Sequence, residues 1–222
     1  MTVPQSASRR HRLLQDGMLL AGVLASIVYV SADVICGVRY PGYSFTDQVI
    51  SELSAIGAPT AALWATLLQV FAVCFAAFAV GVVREGRGNR RLRVTGWLLI
   101  AFVLSGPVWS FVPMHQRGDV FTWTDVGHIG LGGVMVVLVT AVIAVGAGAL
   151  GDRFRVASQI GVAVAVVSGV GTFAYVPRMI DQLPTPGVGA VERIHLYTFW
   201  SWVSALAVAL LRRRRLRASG GR

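Results

Sequence analysis

The sequence predicts an all-α polytopic membrane protein, with six transmembrane helices and a short interfacial helix after the first. Three observations predict it. Apolar residues make up 55% of the chain and charged residues 14%, against about 25% charged in an average soluble domain. The mean hydropathy is positive. Apolar stretches of roughly 20 residues recur, each long enough to cross a bilayer core.

Residues 1–13 read as a flexible basic tail ending in Arg9-Arg10-His11-Arg12, 14–211 as the six-helix membrane domain, and 212–222 as an arginine-rich tail. The first span covers 14–36. Val30-Ser31-Ala32 would suit a signal peptidase, but the apolar run continues through Val34-Ile35 and no soluble domain follows, so a retained span is favoured. A Pro-Gly turn at Pro41-Gly42 leads to Val49, Ile50, Leu53 and Ile56 at helical spacing, stopped by Gly57 and Pro59. That run is too short to span, so it is expected to lie at the interface or over the bundle. The remaining spans are 60–83, 94–112, 124–150, 156–176 and 191–211. Pro107 predicts a kink in the third, and Gly161, Ala165 and Gly169 predict close helix contact in the fifth. Residues 177–190, rich in proline and glycine, are expected to be an irregular loop. Trp109, Trp123, Trp200 and Trp202 lie toward the outer half, as candidates to anchor the bundle at the interface.

Six spans put both termini on one side, and sixteen of the twenty arginines fall there; Arg39, Arg117, Arg178 and Arg193 face the other. The positive-inside rule makes the arginine-rich side cytoplasmic, in a bacterial plasma membrane. There the arginines can also contact anionic lipid headgroups. The complete absence of lysine fits a GC-rich bacterial genome and carries no mechanism. A net charge of +10 could suggest nucleic acid, but arginines placed at the ends of apolar runs are topology signals, and nucleic acid is discounted. Cys36 and Cys74 fall at different depths, too far apart for a disulfide.

The chemistry-bearing residues collect on the outer side. Asp125 and His128 open the fourth span three residues apart, on one helical face, and Glu192 and His195 repeat the spacing at the last. In each hairpin an aromatic-proline exit precedes the acid: Phe111-Val112-Pro113 before Asp125, Tyr175-Val176-Pro177 before Glu192 and, more faintly, Tyr40-Pro41 before Glu52. A purely structural account is available. Thr122-x-x-Asp125 has the outline of a capping box, and Glu192 could pair with Arg193 or Arg178. The functional account starts from the default that an ionisable group inside a membrane is a functional site. It gathers Asp33, Ser51, Glu52, His115, Asp125, His128, Glu192, Arg193 and His195 around one outward-facing polar pocket. If spans four and six touch, His128, His195, Asp125 and Glu192 could hold a divalent metal such as zinc, since acid-x-x-His is a ligand spacing of bundle metal sites. Glu52 would then be the candidate general base. No Gly-rich phosphate loop, nucleophile elbow or CxxC is present.

Tyr40-Pro41-Gly42-Tyr43, the run Ser51-Glu52-Leu53-Ser54-Ala55-Ile56-Gly57-Ala58-Pro59, Thr124-Asp125-Val126-Gly127-His128 and Glu192-Arg193 together resemble a bacterial six-span membrane family catalogued as domain of unknown function 998. The resemblance covers about 15–211 and implies a six-helix integral membrane domain with no assigned activity. A looser similarity is to membrane hydrolases of the alkaline ceramidase type, which use histidines, an aspartate and a serine around zinc but have seven spans and more histidines. Two function classes follow. One is a non-enzymatic membrane protein that binds a lipid or small ligand, or supports an envelope process, through the outer pocket. The other is a metal-dependent membrane hydrolase at the outer face.

Overall fold

The computed structural model describes residues 5–219, which form helices and turns without a strand among them. In order these are α1 (Gln5–Arg39), a 3-10 turn (Ile50–Ser54), α2 (Ala61–Glu85) and α3 (Arg90–Ser105), which runs on as a 3-10 segment (Gly106–Phe111). Then follow α4 (Trp123–Ala147), α5 (Asp152–Phe173), the short α6 (Val176–Ile180) and α7 (Val188–Ser219). Among the described residues six helices are long and apolar enough to cross a membrane.

The helices pack as a closed ring, α1 to α2 to α3 to α4 to α5 to α7 and back to α1, and α4 and α7 touch only marginally. Aromatic residues fill the ring's interior. Phe75 stacks on Phe71 at 5.4 Å and meets the edge of Trp200 at 5.3 Å, and Phe102 stacks on Phe199. Lipid tails are as apolar as these rings, so burial itself drives little association in a bilayer. Shape complementarity does the holding, with each aromatic pair contributing about 0.5–1.5 kcal/mol. Hydrogen bonds between helices add to it: Ser26 Oγ donates to the Trp200 carbonyl, Gln15 Nε2 to the Gly81 carbonyl, and Trp202 Nε1 to Ser158 Oγ. The small face of α5 works as its spacing predicts. Gly161, Ala165 and Gly169 are buried, with Gly161 close to Ile143 of α4 and Thr198 of α7.

At the arginine-rich end Arg214 of α7 donates to Asp16 of α1 at 2.6 Å and to Glu85 of α2, tying three helices. Asn89 caps α3, accepting from Leu92 N–H, and donates to the Ala149 carbonyl in the next connection.

Several expectations need correction. Helix extends into both basic ends, where a flexible tail was expected at the first: α1 begins by Gln5 and α7 continues to Ser219, because arginine is a good helix former and no proline or glycine stands between Gln5 and Leu14 or between Arg212 and Ser219. Residues 1–4 and 220–222 lie outside the described residues. Pro107 converts α3 from α to 3-10 geometry at Gly106. Within 177–190 lies most of α6, and α7 starts at Val188, inside the stretch expected to be irregular. Trp200 and Trp202 are buried core residues rather than interfacial anchors, while Trp123 is 74% exposed. The helix expected after the first span is a single 3-10 turn packed over the bundle. Val49, Ile50 and Leu53 are buried as expected, but Ile56 is half exposed because the chain has already turned out toward Gly57 at φ +79°. Both cysteines are free.

Candidate functional site

The end opposite the two termini is built around the first turns of α7. Gly187, at φ +86°, turns the chain in, and Gly189 lies where a Cβ would stand 2.1 Å from the Gln48 carbonyl oxygen. Only a glycine lets the helix come this close to the loop that follows α1. That approach carries Arg193 into the interior, where it is 8% exposed.

Arg193 forks onto Asp33 of α1, Nε to Oδ2 at 2.9 Å and Nη2 to Oδ1 at 2.8 Å, and Asp33 is fully buried. The remaining donors are used as well: Nη1 reaches the carbonyls of Phe45, Gln48 and Gly189, and Nη2 reaches Tyr43 Oη at 2.7 Å. Tyr197, one turn along α7, donates to Asp33 Oδ2 at 2.5 Å. A buried charge pair is tolerated only when its other lone pairs and protons are satisfied, and here they are. Burial also pushes the Tyr43 phenol well up, although its bond to Arg193 opposes this.

A second arginine ties in the next connection. Arg117 forks onto Glu52, Nε to Oε2 and Nη2 to Oε1, both at 2.8 Å, and Nη2 also donates to the Asp47 carbonyl. Glu52 accepts in addition from Gln48 Nε2 and from Val49 N–H, the latter capping the 3-10 turn. Asp47 accepts Gly187 N–H at 2.9 Å, and that bond holds its carboxyl below the usual range. Thr185 Oγ1 donates to the Asp47 carbonyl, and Gln182 Oε1 accepts Gly118 N–H. The three connections at this end are thus sewn into one cap.

The expected site residues divide among these bonds. Asp33 and Arg193 form the central pair; Glu52 belongs with Arg117; Ser51 offers its carbonyl to Ser54 Oγ. Asp125 completes the capping box on α4, accepting Thr122 N–H at 2.8 Å, and also accepts His115 N–H and Nδ1. His128 Nδ1 donates to the Val112 carbonyl, its ring against Trp109. His195 Nδ1 donates to the Ala165 carbonyl of α5. Glu192 accepts Ile50 N–H at 2.5 Å, so it caps the 3-10 turn rather than pairing with Arg193 or Arg178. Arg178 instead braces its own loop on the Pro184 carbonyl.

The four expected metal ligands are therefore not brought together. With α5 standing between α4 and α7, the two histidines bond to opposite flanks, one toward the end of α3 and one toward α5. Among the described residues no group of three or more His, Cys, Asp and Glu stands close enough to hold a metal ion. The donor set does not fit zinc as arranged. The residues at this end are largely spent on one another.

Glu192 is the exception. It is half-buried, and Ile50 N–H is its one hydrogen-bond partner among the described residues, which leaves an oxygen free. Beside it, within electrostatic reach, is Tyr29 of α1, whose hydroxyl also lacks a partner among them. Arg117, Tyr43, Tyr197 and Gln48 were not anticipated. Tyr197 could have been found four residues after Arg193, on the same helical face. Arg117 could not, since nothing local points to a carboxylate 65 residues away.

No curated protein and no solved structure matches this chain. Residues 23–209 match the family described as Protein of unknown function (DUF998). That match covers all six spans in whole or large part, together with every residue of the cap. The chain belongs to the DUF998 family of membrane proteins.

Proposed function

We propose that this is a non-enzymatic, multi-pass protein of a bacterial plasma membrane that binds a lipid or small hydrogen-bond-donating ligand at its outer face. One observation carries the reading: beside two fully paired buried carboxylates, Asp33 and Glu52, Glu192 keeps a carboxylate oxygen without a partner among the described residues, at the junction of α1, α7 and the 3-10 turn. A carboxylate in that position favours a ligand bearing an amine or hydroxyl group, since such a donor completes its hydrogen bonding. Both termini are cytoplasmic in this reading. The arginine excess at that end supports the orientation and contact with anionic headgroups.

Native mass spectrometry of the full chain, extracted with its own membrane lipids, tests the outer site. A bound species present on the wild type and lost from Glu192→Ala is expected. Identical adducts on both would overturn the reading. One equivalent of tightly held metal, lost on replacing His128 or His195, would overturn it in favour of a metal-dependent hydrolase.

A further inference from the structure

The arginine-rich end holds a cleft of about 400 Å³ lined by Arg12, Arg84, Glu85, Arg87, Arg214 and Arg217. It forms where the start of α1 meets the last turn of α2 and the end of α7. Arg214 is its floor and is already committed, to Asp16 and to Glu85. Around the rim Arg84, Arg87 and Arg217 are exposed. Arg84 makes one weak contact, to Met18 Sδ at 3.4 Å. The guanidinium groups of Arg87 and Arg217 have no hydrogen bond or ion pair among the described residues.

Arg214 is already neutralised by Asp16 and Glu85, but the exposed guanidiniums of Arg84, Arg87 and Arg217 around the rim repel one another, and a single multiply charged anion relieves them together. Planar, forked donors pair with the oxygens of a phosphate two at a time, and a headgroup carrying more than one negative charge can engage several arginines together. Phosphate could come from a lipid or from solution, and the surroundings favour the lipid. The cleft sits where the apolar spans end, and Leu13 and Leu14, next in the chain after Arg12, are each more than 60% exposed. A ligand with a charged head and apolar tails meets both surfaces, as in basic pockets between transmembrane helices.

We propose that this cleft binds the phosphate-bearing headgroup of an anionic phospholipid, of the phosphatidic acid or cardiolipin class. It gives the headgroup contact proposed above a specific site. Binding in detergent does not depend on which way the chain crosses the membrane. Failure here therefore leaves the proposed orientation standing, and the reverse also holds.

The test titrates purified full-length protein, in detergent micelles at about 0.15 M salt, with phosphatidic acid, cardiolipin or phosphatidylcholine. A separate arm uses soluble glycerol 3-phosphate. Bound lipid is read by native mass spectrometry and stabilisation by Tm. The wild type should retain the anionic lipids and gain Tm from them. An Arg87→Gln/Arg217→Gln variant should bind about thirtyfold more weakly, at about fivefold for each arginine near the surface. Its lipid-free Tm should be unchanged or raised, because mutual repulsion has been relieved. Arg39→Gln, at the other end of α1, should bind like the wild type. Undiminished binding by the double variant, equal binding of phosphatidylcholine, or glycerol 3-phosphate binding as tightly as the lipids would each overturn the proposal.

Discussion

At the scale of single residues, the capped end opposite the termini is governed by what happens to a charge that water cannot reach. Asp33 and Arg193 are each tolerable because the other is present, with Tyr43, Tyr197 and three carbonyls completing the shell. Removing one partner strands the other. Asp33→Leu or Arg193→Met alone should cost about 3–5 kcal/mol, and the double replacement much less than their sum. Unfolding in detergent, followed across the four-protein cycle, measures this; additive costs would show that the pair is not coupled. Asp47 makes a milder prediction with a pH signature. Its carboxyl titrates below its ordinary value of 3.8 because it accepts Gly187 N–H. The bond's contribution is therefore complete above that ordinary value and fades as pH falls through the lower, folded one. Hydrogen exchange at Gly187 should accelerate on acidification into that range in the wild type, and be fast and pH-independent, after correction for intrinsic rates, in Asp47→Ala. From sequence Asp33 was legible as an acid out of place in a span. Its partner was not, because Arg193 lies 160 residues away and nothing local points across that distance.

Elements behave as their sequence periods demand, and the departures have identifiable causes. Six apolar runs gave the six long helices, since each is longer and more continuous than any competing assignment. The 3-10 turn fell short of the expected helix because Glu52 folds back onto Val49 N–H and Gly57 ends the turn at once. The acid-x-x-His device was read correctly as a pair of helix openings and wrongly as one site. Period and spacing place residues on a face, but ring order decides which faces meet, and α5 lies between the two helices concerned. His128→Ala and His195→Ala should consequently have additive effects on stability, agreeing within about 0.3–0.5 kcal/mol. A larger coupling energy would restore the shared pocket. Gly189→Ala tests the docking of α7 against the loop. Its new Cβ would meet the backbone oxygens of Gln48 and Phe45, which cannot swing aside, so Tm should fall markedly. Gly130→Ala, with open space around it, should leave Tm unchanged or raise it.

For the whole molecule, sixteen arginines against four set the expected orientation. In a background without Cys36, a cysteine placed at Gly88 should resist an impermeant thiol reagent in intact cells, while one at Pro186 should be labelled. Labelling at position 88 from outside would reverse the molecule. The ring and its cap differ in how far apart in sequence their contacts lie. Neighbouring helices mostly meet in chain order, but the bonds joining Arg193, Glu192 and Thr185 to residues 33–50 tie α7 and the loop before it to α1 and the loop after it.

That closure has a consequence for biogenesis. A chain still being made, or cut short before α7, presents Asp33 near one membrane face with no counter-charge to receive it. The completed protein hides this residue, so its exposure distinguishes an unfinished chain from a finished one. Truncation after residue 187 should yield a product that is cleared rapidly by membrane proteases. Supplying 188–219 as a separate segment, or replacing Asp33 with leucine, should lengthen its lifetime in a pulse-chase experiment. A truncated chain as long-lived as the intact one would mean that the last helix arrives at a site already stable without it.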